Sequence, residues 1–236
     1  TDAGTDADTE ARAQALQGRL RTLAEDGSVH GILPFLPLPD GMDEAAALAE
    51  IPAGKDVDGM GPGAQAAVYE GRLLTEGRAF APCTAESVMR LLDHYAIDVA
   101  GRHAVVVGRS AVIGRPVSQL LLARHATVTI CHTRTQDLAQ FTKAADILVV
   151  CAGLASSGAG SGITARHLRA GQTVVDVGIH RDGAGDLYGD VDAQAALGLV
   201  ADLTPVPGGV GAMTTPILLE HVVRAAEQQG AARPLT

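Results

Sequence analysis

From Gly101 onward, short apolar runs alternate with helical patterns, and this alternation constrains the fold more than any other feature of the chain. Residues 104–107, 127–131 and 147–151 are brief and rich in β-branched side chains, whereas 114–123 and the stretch near 136–144 carry apolar residues at helical spacing. That is a βαβαβ series. A further strand at 173–177, a Gly-rich hairpin around Tyr188 and a last strand near 199–201 extend it. The expected result is an α/β fold with a doubly wound parallel, Rossmann-like sheet.

The first hundred residues have a different texture. Leu16, Leu20 and Leu23 form one stripe of a helix over 9–25, and a short strand at 29–33 ends at Pro34. Helices are expected over 41–48 and 84–95, the second with Thr84 as N-cap after Pro82-Cys83. Between them Lys55-Asp56-Val57-Asp58-Gly59-Met60-Gly61-Pro62-Gly63 reads as a polar, glycine-rich loop. A closing helix at 215–228 could return to this first part of the chain. The expectation is therefore two domains: 1–98 completed by 210–236, and 99–209.

With 236 residues, 47% of them hydrophobic, the chain can bury substantial cores. Its net charge of −9 argues against nucleic acid as a partner, since phosphate contacts need a basic surface. No apolar run is long enough to span a bilayer, so no membrane partner and a soluble, cytoplasmic protein are expected. Cys83, Cys131 and Cys151 are widely separated, which suggests neither a disulfide framework nor a metal site but buried free thiols. Asp2, Asp6, Asp8 and Glu10 lie in a start that is expected to be mobile, and the absence of an initial methionine leaves room for residues upstream.

The turn after the first sheet strand is Gly108-Arg109-Ser110-Ala111-Val112-Ile113-Gly114. Gly108 permits a tight turn, Ser110 offers a hydroxyl, and a helix beginning at Gly114 would present N–H groups to a pyrophosphate. The same pattern also occurs in plain strand-to-helix turns. At the tip of the second strand, Cys131-His132-Thr133-Arg134-Thr135 contains no carboxylate for ribose hydroxyls. Arg134 with its neighbouring hydroxyls suits a 2′-phosphate instead, which points to NADP over NAD, unless Arg134 is a solvated loop charge.

The segment from Thr204 to Thr214, Thr-Pro-Val-Pro-Gly-Gly-Val-Gly-Ala-Met-Thr, sets two prolines and three glycines just before the closing helix. It is either a rigid interdomain turn or a backbone built to meet a ligand closely. Thr214 or Thr215 would cap the helix, with Pro216 in its first turn.

At these residues the chain strongly resembles the bifunctional methylenetetrahydrofolate dehydrogenase/cyclohydrolase family. The resemblance rests on Gly31-Ile32-Leu33 with Leu36-Pro37-Leu38-Pro39, Lys55-Asp56-Val57-Asp58-Gly59, Pro82-Cys83-Thr84 and Gly108-Arg109-Ser110. It rests also on Asp176-Val177-Gly178-Ile179, Gly189-Asp190-Val191-Asp192 and the Pro-Gly-Gly-Val-Gly segment. It implies a folate-binding domain and an NADP domain around a cleft, a homodimer, and a tetrahydrofolate derivative as substrate. Asp58 would hold the pterin, with Gly208, Gly209 and Val210 lining the same pocket; the adjoining Pro207 is a further substrate-binding candidate. Arg109, Ser110 and Thr133 would face the cofactor phosphates, with Ile179 beside the nicotinamide; Gly108, Gly114 and Arg134 are cofactor-binding candidates from the turn and strand tip read above.

The chain also departs from the family pattern. The glutamine of the family's Val-Gln-Leu-Pro segment is Phe35, and its Tyr-x-x-x-Lys helix is absent from these residues together with the strand before it. Gly61 and Ala64 stand where the family has His and Asn, and Ala85 and Ala212 stand where it has proline. Hydride transfer needs two rings held face to face, whereas hydrolysis of the methenyl bridge needs a positioned proton acceptor and donor. Dehydrogenase activity is therefore expected, with cyclohydrolase activity only if a segment upstream supplies the lysine. Asp58 and Lys55 are the catalytic candidates, although Lys55 beside Asp56 and Asp58 could equally form a structural ion pair. The alternatives are a diverged paralogue acting on another pterin or one-carbon substrate, or a non-catalytic dinucleotide-binding partner.

Overall fold

The computed structural model describes residues 3–74, 78–154 and 162–231, so Asp2 lies outside the described residues. The chain divides into two compact units, 1–81 with 218–236, and 82–217.

In the first unit, α1 (Ala3–Glu25) begins well before residue 9, so the acidic start is helical where a mobile segment was expected. Leu20 buries its side chain against Ile32, Leu48, Ile51 and Met60, with Leu16 and Leu23 at the margin of the cluster. Each fully buried aliphatic side chain of this kind contributes roughly 1.5–3 kcal/mol. α2 (Glu44–Leu48) starts later than expected because the Asp43 side chain accepts the Ala46 N–H and caps it. The strand expected at 29–33 is reduced to one parallel bridge between Ile32 and Asp56, with Ile32 N–H donating to the Lys55 carbonyl at 2.7 Å. A strand needs a paired neighbour along its length, and among the described residues Asp56 alone supplies one.

α3 (Pro62–Tyr69) occupies a stretch whose first residues read as loop. Proline is tolerated at the first helical position, Gly61 precedes it in extended conformation, and Ala64, Ala67 and Val68 bury one face. A second cluster of Val57, Phe80 and Ala225 ties the 55–61 loop to the C-terminal part of the last helix.

The second unit opens with α4 (Cys83–His94), capped by Pro82, so Thr84 lies inside the helix and is not its N-cap. α4 packs on α5, which places it with the nucleotide-type sheet and sets the unit boundary at residue 82 instead of 99. The strands β1 (His103–Val107), β2 (Thr127–Cys131), β3 (Ile147–Val150), β4 (Thr173–Asp176) and β7 (Asp202–Leu203) form a parallel sheet in the order β2-β1-β3-β4-β7. α5 (Gly114–Ala123) and α6 (Leu138–Ala144) connect the first three strands, and α7 (Ala193–Ala196) precedes β7. Every residue of β3 is buried, as expected for a parallel strand covered on both faces. Val106 and Val149 face one core cluster while Val105, Leu148 and Val150 face the other. The expected hairpin is β5 (His180–Arg181) with β6 (Leu187–Tyr188). The last strand lies at 202–203 instead of 199–201, because Ala201 and Asp202 donate to the Gln172 carbonyl and bring the chain alongside β4 only there.

α8 (Val210–Ala231) starts earlier than expected, at the end of the Pro-Gly-Gly segment, and crosses the unit boundary. Thr214 and Thr215 therefore lie within it, the Thr214 hydroxyl donates to the Gly211 carbonyl, and Pro216 is an interior proline.

Candidate functional site

In the second unit, the sheet order reverses between β1 and β3, where open α/β sheets bind ligands at the carboxyl ends of the strands. Gly108 sits on that edge with φ of 130°, and a Cβ there would meet the Cys151 carbonyl oxygen at 2.5 Å. Gly114 is confined just as closely, its hypothetical Cβ lying 2.3 Å from the Gly108 oxygen. These two glycines fold the loop back against itself and turn its intervening residues outward.

The free helix N–H groups expected at Gly114 are already engaged. Ser110 Oγ accepts from Ile113 N–H at 3.1 Å and from Gly114 N–H at 3.4 Å, its carbonyl accepts from Arg115, and Pro116 has no N–H. The Ser110 hydroxyl thus serves the first amides of α5, whose N-cap position is Ile113. The backbone N–H groups of Arg109, Ser110, Ala111 and Val112 have no hydrogen-bond partner among the described residues, and all four residues are exposed. Successive unpaired amides of this kind suit an anion. The loop itself, more than the helix end behind it, fits a pyrophosphate.

Parallel pairing of Val107 with Cys131 brings the tip of β2 beside this loop, where Gly108 N–H donates to the Cys131 carbonyl at 2.9 Å. The tip is a stapled turn. His132 N–H donates to Thr135 Oγ1 at 2.9 Å, and Arg134 N–H donates to His132 Nδ1 at 3.1 Å. His132 therefore shapes the turn, while Thr133 and Arg134 project into solvent. Neither Arg109 nor Arg134 forms an ion pair among the described residues. Both cations remain able to meet a phosphate.

Farther along the same edge, Ile179, Pro207, Gly208, Gly209 and Val210 line one cavity of about 330 Å³, with Asp176 in its wall. Ile179 is 62% exposed and stands over Gly211, where a Cβ would lie 3.6 Å from its Cδ1. The Val206–Pro207 peptide bond in this wall is cis.

Two carboxylates that the sequence reading did not assign hold this edge together. Asp176 Oδ1 accepts from Gly178 and Asp190 N–H, and its Oδ2 accepts from Val191 N–H at 2.9 Å. Burial nevertheless pushes the Asp176 carboxyl above its ordinary range, the three amides opposing that shift and the Asp190 charge adding to it. Asp190 Oδ2 accepts from Ala152 and Gly153 N–H, while its Oδ1 pairs with His180 Nε2 at 2.9 Å. The signal lay in the Asp-Val-Gly-Ile and Gly-Asp-Val-Asp motifs, the first supplying the carboxylate that binds the backbone N–H groups of the second. Cys151 beside them is pushed up to about 12 by burial and then by Asp190, which leaves the thiol protonated.

In the first unit, Lys55 forms no ion pair with Asp56 or Asp58 among the described residues. Its ammonium donates to the carbonyls of Ala24 at 2.7 Å, Asp26 at 2.8 Å and Leu23 at 3.4 Å, which closes the C-terminal end of α1. Asp56 is fully buried, its Oδ2 accepting from Gly61 N–H at 2.6 Å while Oδ1 has no partner among the described residues. Burial, partly opposed by loop amides, pushes its carboxyl upward. Asp58 is only partly buried and makes no hydrogen bond or ion pair among the described residues. Beneath it, the buried His221 donates from Nδ1 to the Val57 carbonyl at 2.8 Å and stacks on Phe80 at 4.7 Å. Phe35 is 85% exposed.

Known proteins agree with this division of labour. Residues 82–230 match the tetrahydrofolate dehydrogenase/cyclohydrolase NAD(P)-binding domain, and residues 4–58 match the catalytic domain of the same family. The bifunctional protein FolD of Lysinibacillus sphaericus is 44% identical over 220 residues, covering 93% of this chain and 74% of the relative. Among solved structures, the bifunctional FolD methylenetetrahydrofolate dehydrogenase/cyclohydrolase from Campylobacter jejuni has a TM-score of 0.85 at 41% identity, covering 92% of this chain and 73% of that one. The Trypanosoma brucei methylenetetrahydrofolate dehydrogenase-cyclohydrolase complexed with NADP cofactor and inhibitor has a TM-score of 0.79 at 35% identity, covering 93% and 74%. The doubt over the hydrolytic half finds no support in these relatives, which are named as bifunctional or for both activities. Sequence, fold and nucleotide-type loop converge, and the chain belongs to the tetrahydrofolate dehydrogenase/cyclohydrolase family.

Proposed function

We propose that the protein oxidises methylenetetrahydrofolate to the methenyl form with NADP and hydrolyses the methenyl bridge to formyltetrahydrofolate. The observation that carries this reading is the loop at 109–112, whose four amides have no partner among the described residues, beside an arginine tip that lacks any carboxylate. Those amides would hold the pyrophosphate, and Arg134 with Thr133 would hold the 2′-phosphate that separates NADP from NAD. The nicotinamide supplies the hydride acceptor. Ile179, Gly209 and Val210 would pack against its ring and exclude water, which directional hydride transfer requires. Asp58, whose carboxylate is unengaged among the described residues, would accept hydrogen bonds from the pterin and serve as the candidate acid-base group in hydrolysis. A cytoplasmic homodimer is part of the same reading, and among the described residues no helix is long and apolar enough to cross a membrane.

The test follows reduced cofactor and methenyl product at separate wavelengths after mixing the purified chain with NADP and methylenetetrahydrofolate. The expected course is a rise of reduced cofactor with methenyl product that forms and then declines. NADP binding without either product would overturn the dehydrogenase reading, and methenyl product that accumulates without decline would overturn the hydrolytic half.

A further inference from the structure

Next in the chain to Ile179 of the 330 Å³ cavity stands a side chain that does not itself line it. His180 directly follows Ile179 and opens β5, and its side chain is 12% exposed. Its Nε2 lies 2.9 Å from Oδ1 of Asp190, a carboxylate with no exposed surface. The other oxygen of Asp190 accepts from Ala152 and Gly153 at the end of β3, so one carboxylate spans two loops of the same edge. Tyr188 stacks on the His180 ring at 5.3 Å and limits its rotation. Gly178 is fixed against the same aspartate, since a Cβ there would meet Asp190 N at 2.5 Å. Ile179 itself is held by little else, being 62% exposed between these anchored neighbours.

We propose that His180 is a positioning residue for the nicotinamide half of the cofactor, its bond to Asp190 fixing the backbone that carries Ile179 into the cavity wall. The inference rests on the reading that this cavity receives NADP. A histidine Nε2 and a glutamine side-chain amide reach similar distances from the backbone, whereas asparagine is shorter by one methylene. Ordering the wall before the cofactor arrives lowers the cost of binding it.

The test compares the purified chain with His180→Ala, His180→Gln and His180→Asn. It measures the equilibrium Kd for NADP, KM for NADP and for methylenetetrahydrofolate, kcat, and thermal unfolding. In His180→Ala the expected result is a roughly tenfold weaker Kd and higher KM for NADP, the scale of one lost hydrogen bond to a charged group. KM for the folate should not change. His180→Gln should restore the parent value and His180→Asn should not, an ordering that a merely structural role would not produce. If His180→Ala fails to fold, the contrast between Gln and Asn decides. Parent-like NADP affinity in His180→Ala, or equal behaviour of Gln and Asn, would overturn the inference alone. A parent chain that binds no NADP would overturn the functional reading on which it stands.

Discussion

The Lys55 ammonium lies 2.7 Å from the carbonyl oxygen of Ala24, the penultimate residue of α1, and it joins two further carbonyls at the same helix end. A lysine in a motif rich in carboxylates is thereby spent on the unsatisfied carbonyls that every helix leaves at its C-terminus. Lys55→Ala should destabilise the first unit by about 1.5–3 kcal/mol, the range for lost hydrogen bonds to a charged donor. Its kcat under folding conditions should stay near the parent value. Unchanged thermal unfolding with abolished turnover would return Lys55 to the chemistry.

Gly114→Ala tests the loop geometry. A Cβ at this position would lie 2.3 Å from the Gly108 oxygen and 2.6 Å from the Gly108 carbonyl carbon, and backbone cannot yield as a flexible side chain can. The substitution should cost about 1–3 kcal/mol in stability, as overpacking does. Equilibrium titration should also show NADP affinity reduced by more than an order of magnitude. Parent-like affinity would mean that the loop does not hold the phosphates.

Arg134→Ala should remove the preference for NADP while leaving NAD unchanged. The side chain is exposed at the tip of a stapled turn and forms no ion pair among the described residues. Loss of a charge-assisted contact to a phosphate corresponds to roughly a 10- to 100-fold weaker NADP affinity. Calorimetry with both dinucleotides decides the matter, and an equal loss for both would refute the assignment.

Asp56→Asn gives a pH signature with a definite sign. Burial raises the Asp56 carboxyl above its unfolded value, so the native state binds its proton more tightly than the unfolded chain does. The cost of ionising it in the fold is present at neutral pH and disappears as pH falls through the folded value toward the ordinary aspartate value of about 4. Asparagine keeps an acceptor for Gly61 N–H and carries no charge. The variant should therefore be at least as stable as the parent at pH 7, with the difference closing in acid. Chemical denaturation across that range checks it; a variant that loses stability equally at every pH would show that the carboxylate itself is required.

Much of the second unit was readable in advance because its signals are local. The boundaries of α5 and β2 match their sequence patterns residue for residue: α5 by its apolar face, and β2, an edge strand in which only Cys131 is buried, by its β-branched residues. The first unit was less readable. α3 begins with Pro62 and Gly63, residues that ordinarily punctuate loops, and only the burial of Ala64, Ala67 and Val68 makes it a helix. α8 begins at Val210 although Pro216 suggested a first turn, because tertiary packing outweighs one missing N–H inside a long helix.

The sequence by itself determined the βαβαβ order, the two glycines of the phosphate-type loop and the absence of a carboxylate at the tip of β2. Each depends on neighbouring residues and on backbone rules that act over short range. Only the tertiary structure decided how the polar groups are spent. Lys55 meets a helix end about thirty residues earlier in the chain, Ser110 takes the amides at the start of α5, and Asp190 joins His180 to the end of β3. A hydrogen bond is chosen by the partner that folding brings within reach, and burial then makes each unpaired alternative costly, so no reading of adjacent residues could have settled those roles.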